Sequence, residues 1–136
     1  MRIYISASWV AQKRLRPHRD ELWKMGHIVT STWLDETEQP AGMPTSAFKK
    51  KLGIKDIAEI TDADLLINDL LEPSTSGGRD VEYGVALGRH QRCQTWIVGT
   101  PVSPFHFLAD RVFMTWGEVL DAARALVDST ATEATQ

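Results

Sequence analysis

The run DADLLINDL, residues 62–70, constrains the fold more than any other stretch. It is short, apolar through its middle and closed by polar residues at both ends, as expected for a strand buried on both faces. A strand of that kind needs a covering layer on each side, and the rest of the chain supplies one. RIYISA (2–7), HIVTSTW (27–33), QTWIVGT (94–100) and RVFMT (111–115) read as four further strands. Helical segments separate them. In SWVAQKRLRPHRDELWKMG, Val10, Leu15, Leu22, Trp23 and Met25 can form a buried face, and Gly26 can cap the C-terminus. Pro17 predicts that the helix proper begins there, because proline suits a first turn and not an interior. Thr45 or Ser46 can cap a second helix running to about Thr61. SGGRDVEYGVALG (76–88) supplies a loop and then a third, which reaches about His90. Thr115 with Glu118 forms a capping box for a fourth, over 116–128.

Strands alternating with helices imply a parallel sheet covered on both faces by right-handed crossovers. The expectation is an α/β fold, a Rossmann-like or flavodoxin-like three-layer sandwich with a five-stranded, mainly parallel sheet. The 136 residues suit one domain. Residues 1–128 are assigned to it, and the polar segment DSTATEATQ leaves 129–136 as an expected disordered tail. The acidic, turn-rich LDETEQPAGMP (34–44) is expected to be an exposed loop.

Charge excludes some partners. A formal net charge of −3 provides no general attraction to nucleic acid or to anionic membranes, so neither is expected as a partner. Any anionic ligand must be held by a local site. Cys93 is the single cysteine, which excludes an intrachain disulfide and fits a reducing compartment; without a CxxC partner it reads as an inert, partly buried thiol. MRIYISAS enters a strand pattern directly, without the apolar core of a signal peptide, and no apolar run is long enough to span a membrane. A cytoplasmic protein is expected. His18, His27, His90 and His106 lack zinc-site spacing, so no metal is expected. The lysines of KKK (49–51) read as a solvated helix face.

In a parallel sheet of this kind ligands sit beyond the C-terminal ends of the strands. That edge carries Ser6, Ala7, Ser8 and Trp9, the loop after Trp33, Asp69 to Arg79, and Thr100 to Phe107. Within it, Ser74, Thr75 and Ser76 offer hydroxyls, Gly77 and Gly78 flexible backbone, and Arg79 a cation. Exposed amides at a helix N-terminus attract phosphate or carboxylate. STSGGR is neither a Walker loop nor a GxGxxG fingerprint, and on loop chemistry alone an anion site and a plain surface loop are both admissible. Glu82 falls in or near the first helical turn, where the dipole favours its ionised form. It reads either as a dipole-complementing surface carboxylate or as a carboxylate nucleophile. Asp56, on the preceding helix, could be an ordinary exposed carboxylate or the second carboxyl group that glycosidic cleavage requires. Asp69 stands at the ligand edge, unlike Asp62 and Asp64. Trp9 can stack on a base or pack in the core, and His106 is a weaker candidate.

These segments resemble the nucleoside 2-deoxyribosyltransferase superfamily, which includes the 2′-deoxynucleoside 5′-phosphate N-hydrolases and related nucleotide N-glycosidases. IYISASW resembles the opening strand and loop, with Tyr4 in the place of the family tyrosine. DIAEITDADLLINDL resembles the segment whose aspartate is here Asp56, and VEYGVALG the helix start whose nucleophilic glutamate is here Glu82. The resemblance covers most of the chain. It implies that Glu82 attacks the anomeric carbon, that Asp56 protonates or orients the leaving base, and that Tyr4 orients Glu82. Six residues before the nucleophile the transferases tend to carry an aspartate and the monophosphate hydrolases a phosphate-binding serine, here Ser76, although Ser74 could take that role. Ser6 and Ser8 would complete the phosphate cradle, and Ala7 stands where a glycine is common. The resemblance further implies a homodimer, with Ser103 or His106 reaching a neighbouring subunit's site, and no cofactor. The expected activity is hydrolysis of (deoxy)nucleoside 5′-monophosphates to free base and sugar phosphate. Base exchange by a deoxyribosyltransferase, a non-catalytic nucleotide-binding module and cleavage of a dinucleotide such as NAD are the rival readings. Neither the base nor the presence of a 2′-hydroxyl is legible.

Overall fold

A computed structural model describes residues 1–37, 41–73, 77–89 and 91–135, without the side chains of residues 130–135. Five strands, β1 (Arg2–Ser6), β2 (Ile28–Val29), β3 (Leu65–Asp69), β4 (Gln94–Val98) and β5 (Arg111–Phe113), form one sheet in the order β2-β1-β3-β4-β5. Every neighbouring pair is parallel. Four helices, α1 (Gln12–Lys24), α2 (Thr45–Thr61), α3 (Gly78–Leu87) and α4 (Trp116–Thr135), alternate with the strands. Helix α1 packs on α4 and α2 packs on α3, which gives the three layers the alternation predicted.

The core forms where these layers meet. Ile3, Tyr4 and Ile5, Leu65 to Ile67, and Trp96 to Val98 are buried along the three central strands. Leu15 and Leu22 of α1, Ile60 of α2, Tyr83 and Ala86 of α3, and Val119 and Ala123 of α4 close over them. Burying each such side chain contributes on the order of 1.5–3 kcal/mol. The strand directions place all C-terminal ends on one edge, which is where the connecting loops gather. Cys93 is buried, and that burial pushes its thiol above the ordinary range, in keeping with an inert group.

The strands expected over 62–70, 94–100 and 111–115 are each shorter by a few residues, and three other boundaries differ for identifiable reasons. β2 stops at Val29 instead of running to Trp33, because side chains take over its ladder. Ser31 Oγ accepts from Ile5 N at 3.1 Å and the Trp33 indole donates to Ile5 O at 2.7 Å. The edge of β1 is therefore satisfied without further strand, and Thr32–Asp35 turns as a 3-10 helix. Helix α4 spans Trp116–Thr135 rather than ending at 128. Its Ala, Glu and Thr residues extend an existing helix without the nucleation that an isolated segment would need. The predicted start is present, with Thr115 Oγ1 accepting from Glu118 N at 3.2 Å.

Helix α1 begins at Gln12, directly after a 3-10 turn at Trp9–Ala11, and contains Pro17 in its interior. The carbonyl that Pro17 leaves unbonded belongs to Lys13, and both residues are exposed, so water can satisfy it. Leu15 and Leu22 are fully buried on the other side of the helix and hold it across the proline. Proline nevertheless weakens a helix interior by about 3 kcal/mol relative to alanine, partly offset by a stiffer unfolded chain. Pro17→Ala is expected to stabilise the protein by about 1–2 kcal/mol in urea unfolding. A neutral or destabilising result would show that the kink itself is required.

Candidate active site

The loop after β1, the 3-10 turn after β2, and helices α2 and α3 line a cavity of about 340 Å3 at the C-terminal edge of the sheet, within the range of small-molecule sites. Ala7, Ser8, Trp9, Trp33, Glu36, Leu52, Asp56, Gly78, Arg79 and Glu82 are among its lining residues. The sheet order arranges them across the cavity. Gly78 and Arg79 enter from the β3 side, Glu82 lies over β1, and Trp33, Glu36 and Asp56 come from the β2 and α2 side.

Glu82 faces this cavity from the second turn of α3. The Tyr4 hydroxyl donates to its Oε2 and Ser6 Oγ donates to its Oε1 at 3.0 Å. Tyr4 and Ser6 alternate along β1, so the same face of that strand presents both groups to one carboxylate. Burial is the dominant influence on Glu82 and pushes its pKa up to about 7; the bonds from Tyr4 and Ser6 oppose the rise, and the charge of Asp56 adds to it. The helix dipole was expected to keep Glu82 readily ionised, but desolvation outweighs it. The Tyr4 phenol is driven far above its usual range, by burial first and by Glu82 second, and stays a donor.

Asp56 lines the same cavity from α2. Burial raises its pKa above the ordinary carboxylate value, with Lys55 acting against the rise. Its Oδ1 is buried and makes no hydrogen bond, although Lys55 Nζ is 3.4 Å away. Lys55 also contacts Glu36 and donates to Thr32 Oγ1 at 3.0 Å. Sequence reading missed Trp33, Glu36, Lys55 and Arg14, because none belongs to a motif and each acquires its role only by packing.

Several predicted binding residues hold the frame instead of facing a ligand. Ser6 is fully buried, lies outside the cavity lining, and its Oγ donates to Glu82, so it positions that carboxylate. Asp69 is fully buried and absent from the cavity wall. Its carboxylate accepts from Arg14 at 3.0 and 3.1 Å, from the Trp116 indole at 2.7 Å and from Leu71 N at 2.9 Å. A carboxylate so fully satisfied has no lone pair left for substrate, and its role is to anchor the loop after β3. Arg14 extends the clamp to Glu72 at 2.7 Å. Arg79 lines the cavity while its Nη1 donates to the carbonyls of Asp69 and Glu72 at 3.2 and 2.6 Å. Ser8 lines it too and donates to Pro73 O at 2.8 Å, tying the first loop to the third. Gly77 has φ +74°, a left-handed conformation that glycine adopts without strain, and starts α3 at Gly78. Ser74 and Ser76, the expected phosphate serines, lie outside the described residues.

Ser103 and His106 stand apart from this cavity. Ser103 Oγ accepts from Phe105 N at 3.2 Å, and His106 Nδ1 accepts from Val102 N and Ser103 N at 3.1 Å each. Both therefore cap the 3-10 turn Pro104–Leu108, and His106 is buried. The groups that this turn presents outward are Phe105, Phe107 and Leu108. Among the described residues no cluster of His, Cys, Asp or Glu has metal-site geometry, and no helix is long and apolar enough to cross a membrane.

Comparison with known proteins separates sequence from shape. No protein-family model matches the sequence, and no curated protein matches it significantly. Solved structures do. A 2-deoxyribosyltransferase from Bacillus psychrosaccharolyticus superposes with a TM-score of 0.69 at 14% identity, over 88% of this chain and 90% of that one. A CMP N-glycosidase of Clostridium botulinum superposes with a TM-score of 0.55 at 14% identity, over 90% and 97%. The chain has the fold of the nucleoside 2-deoxyribosyltransferase-like proteins. At this identity the likeness concerns the fold, and the chemistry rests on the site geometry.

Burying Glu82 has a measurable stability cost. Its pKa is about 4.5 when unfolded and about 7 when folded, so between those values the folded state binds more protons and stability falls as pH rises. Glu82→Gln removes that charge while keeping an acceptor for Tyr4. The variant is expected to match the wild type near pH 4.5 and to exceed it by about 1–3 kcal/mol at pH 8. Denaturant unfolding at the two pH values checks this, and equal stability at pH 8 would contradict it.

Proposed function

We propose that this protein cleaves the N-glycosidic bond of nucleoside 5′-monophosphates through a glycosyl intermediate on Glu82. The observation that carries the reading is a buried glutamate held by Tyr4 and Ser6 at the wall of a cavity that a second carboxyl group, Asp56, also lines. The two similar structures add support, since one is named a 2-deoxyribosyltransferase and the other a CMP N-glycosidase. A phosphate at the Gly78–Arg79 end is favoured by the N-terminus of α3 and by the Arg79 cation lining the cavity.

In the first step a Glu82 oxygen attacks the anomeric carbon as the bond from that carbon to the base breaks. The electron pair leaves on the base nitrogen, and the base takes a proton from the Asp56 carboxyl group. Water then attacks the anomeric carbon, breaks the ester to Glu82 and gives its proton to Asp56, which restores both groups. Tyr4 and Ser6 keep Glu82 in one orientation throughout. The active form carries one proton on the Glu82–Asp56 pair, placed on Asp56. A homodimer also fits, with a second copy covering Val102, Phe105, Phe107 and Leu108, which are 61–80% exposed. Phe105 or Phe107, rather than the capped Ser103 and His106, would then reach the partner.

The direct experiment is a panel of ribo- and deoxynucleoside 5′-monophosphates and free nucleosides, assayed for released base. Monophosphates are expected to be cleaved and nucleosides to react poorly. Glu82→Gln should lower turnover by at least about a thousandfold. Base exchange with a free acceptor, exceeding hydrolysis, would favour the transferase reading. Ligand binding without base release, unchanged by Glu82→Ala, would favour a non-catalytic module.

The shared proton predicts the pH profile. kcat/KM should be bell-shaped and decline above about pH 7, where the pair loses its last proton. Asp56→Asn should lower turnover by about a hundredfold or more and abolish the decline on the alkaline side. An alkaline limb that persists unchanged in Asp56→Asn would assign that proton elsewhere.

A further inference from the structure

The side of the cavity formed by α2 and the turn after β2 has an unusual balance of hydrogen-bonding groups. It is formed by Trp33, Glu36, Leu52, Asp56 and Ile57. The donors near it face into the protein. The Trp33 indole N–H is taken by Ile5 O, and the Gln12 amide donates to the carbonyls of Trp33 and Glu36. Lys55 is the nearby cation, and it is surrounded by Glu36, Asp56, Glu59 and Thr32. Glu59 is occupied in turn, accepting from Thr32 N at 3.2 Å and from Thr32 Oγ1 at 2.6 Å. Two carboxyl groups, Glu36 and Asp56, therefore remain at the cavity wall on either side of one ammonium. Trp9 also carries an indole N–H, but it stands half exposed, its ring 6.1 Å from that of Trp33.

We infer that Glu36 is a specificity-determining residue that selects a base bearing an exocyclic amino group. The inference rests on the N-glycosidase reading for the placement of the base at this wall. With the sugar over Glu82 and the phosphate toward Gly78 and Arg79, the base lies between the aromatic rings and the two carboxyl groups. Lys55 contacts Glu36 and leaves it an acceptor toward the cavity. Asp56 carries the proton that the leaving base will take. The wall thus offers an acceptor beside a donor. An amino group adjacent to an unprotonated ring nitrogen presents the complementary pair, as on cytosine and adenine. Replacing the amino group by an oxo group puts a carbonyl against Glu36 and a ring N–H against Asp56, so both contacts change sign. A site built to hydrogen-bond one pattern rejects the reversed one, because its buried groups are left unpaired.

The test compares ligand pairs that differ in this exchange: CMP against UMP and AMP against IMP, in ribo and deoxy series. Binding is followed by the fluorescence of Trp9 and Trp33, and base release is measured in parallel. The wild type is expected to bind, and to turn over, the amino member at least about tenfold better in at least one pair. In Glu36→Gln, whose amide can donate as well as accept, that preference should shrink severalfold while the variant keeps its circular dichroism spectrum. Equal or better binding of the oxo member in both pairs overturns the inference, as does failure to bind any member. A preference that Glu36→Gln leaves intact also overturns it. Amino-selective binding without base release would sustain the inference while removing the glycosidase reading, so the two can fail separately.

Discussion

The contact between Tyr4 on β1 and Glu82 near the start of α3 is the interaction on which the rest of the site depends. It joins the second residue of a buried β-ladder to a helix that arrives more than seventy residues later in the sequence. Ser6 adds a second bond from the same face of β1. A carboxylate in this position loses most of its hydration, and the two hydroxyls only partly replace it. That imbalance is why its pKa rises to about 7 although the helix dipole acts in the opposite direction. The residue is thereby poised between its neutral and charged forms near neutral pH, which is what the proposed ester-forming role requires.

Such a carboxylate needs a stable backbone around it, and most of the polar residues at the sheet edge supply one. Asp69 holds Arg14, Trp116 and Leu71 N together below the loop that leads to α3. Arg14 reaches on to Glu72, and Arg79 secures the carbonyls of Asp69 and Glu72 from above. Ser8 ties this loop to the one after β1. These bonds are mutually supporting, and their effect is to fix the entry of α3 and hence the aim of Glu82. On the far side, Lys55 performs a similar service for Glu36, Asp56 and Glu59. Without the ammonium, three carboxyl groups in so small a volume would repel one another.

Much of the architecture was legible in the sequence because it follows from local pattern. DADLLINDL could hardly be anything but a doubly covered strand, and the alternation around it allowed few topologies. Glu82 could be placed at the ligand edge from the alternation of strands and helices, whereas Tyr4 and the pairing of Asp56 with Glu82 are singled out by the motif resemblance. Where sequence and structure differ, the cause is shared. Sequence places Ser6 and Asp69 at the ligand edge, but position does not say which way a side chain is turned or what it meets, and both are buried in contacts with Glu82 and Arg14. Pro17 was read as a helix start because local propensity says so, whereas packing of Leu15 and Leu22 carries the helix across it. β2 was read too long, since a run of β-formers cannot reveal that Ser31 and Trp33 would satisfy the strand edge from their side chains.

The sequence by itself therefore determined the layer order, the parallel sheet and the presence of a glutamate at the ligand edge, because hydrophobic period and helix-end chemistry act over a few residues. Only the tertiary structure decided which polar residues face the cavity and which hold the frame, how far burial shifts Glu82, and that Glu36 and Lys55 belong to the site at all. Those outcomes depend on desolvation and on contacts between segments distant in the chain, and neither is written in local spacing.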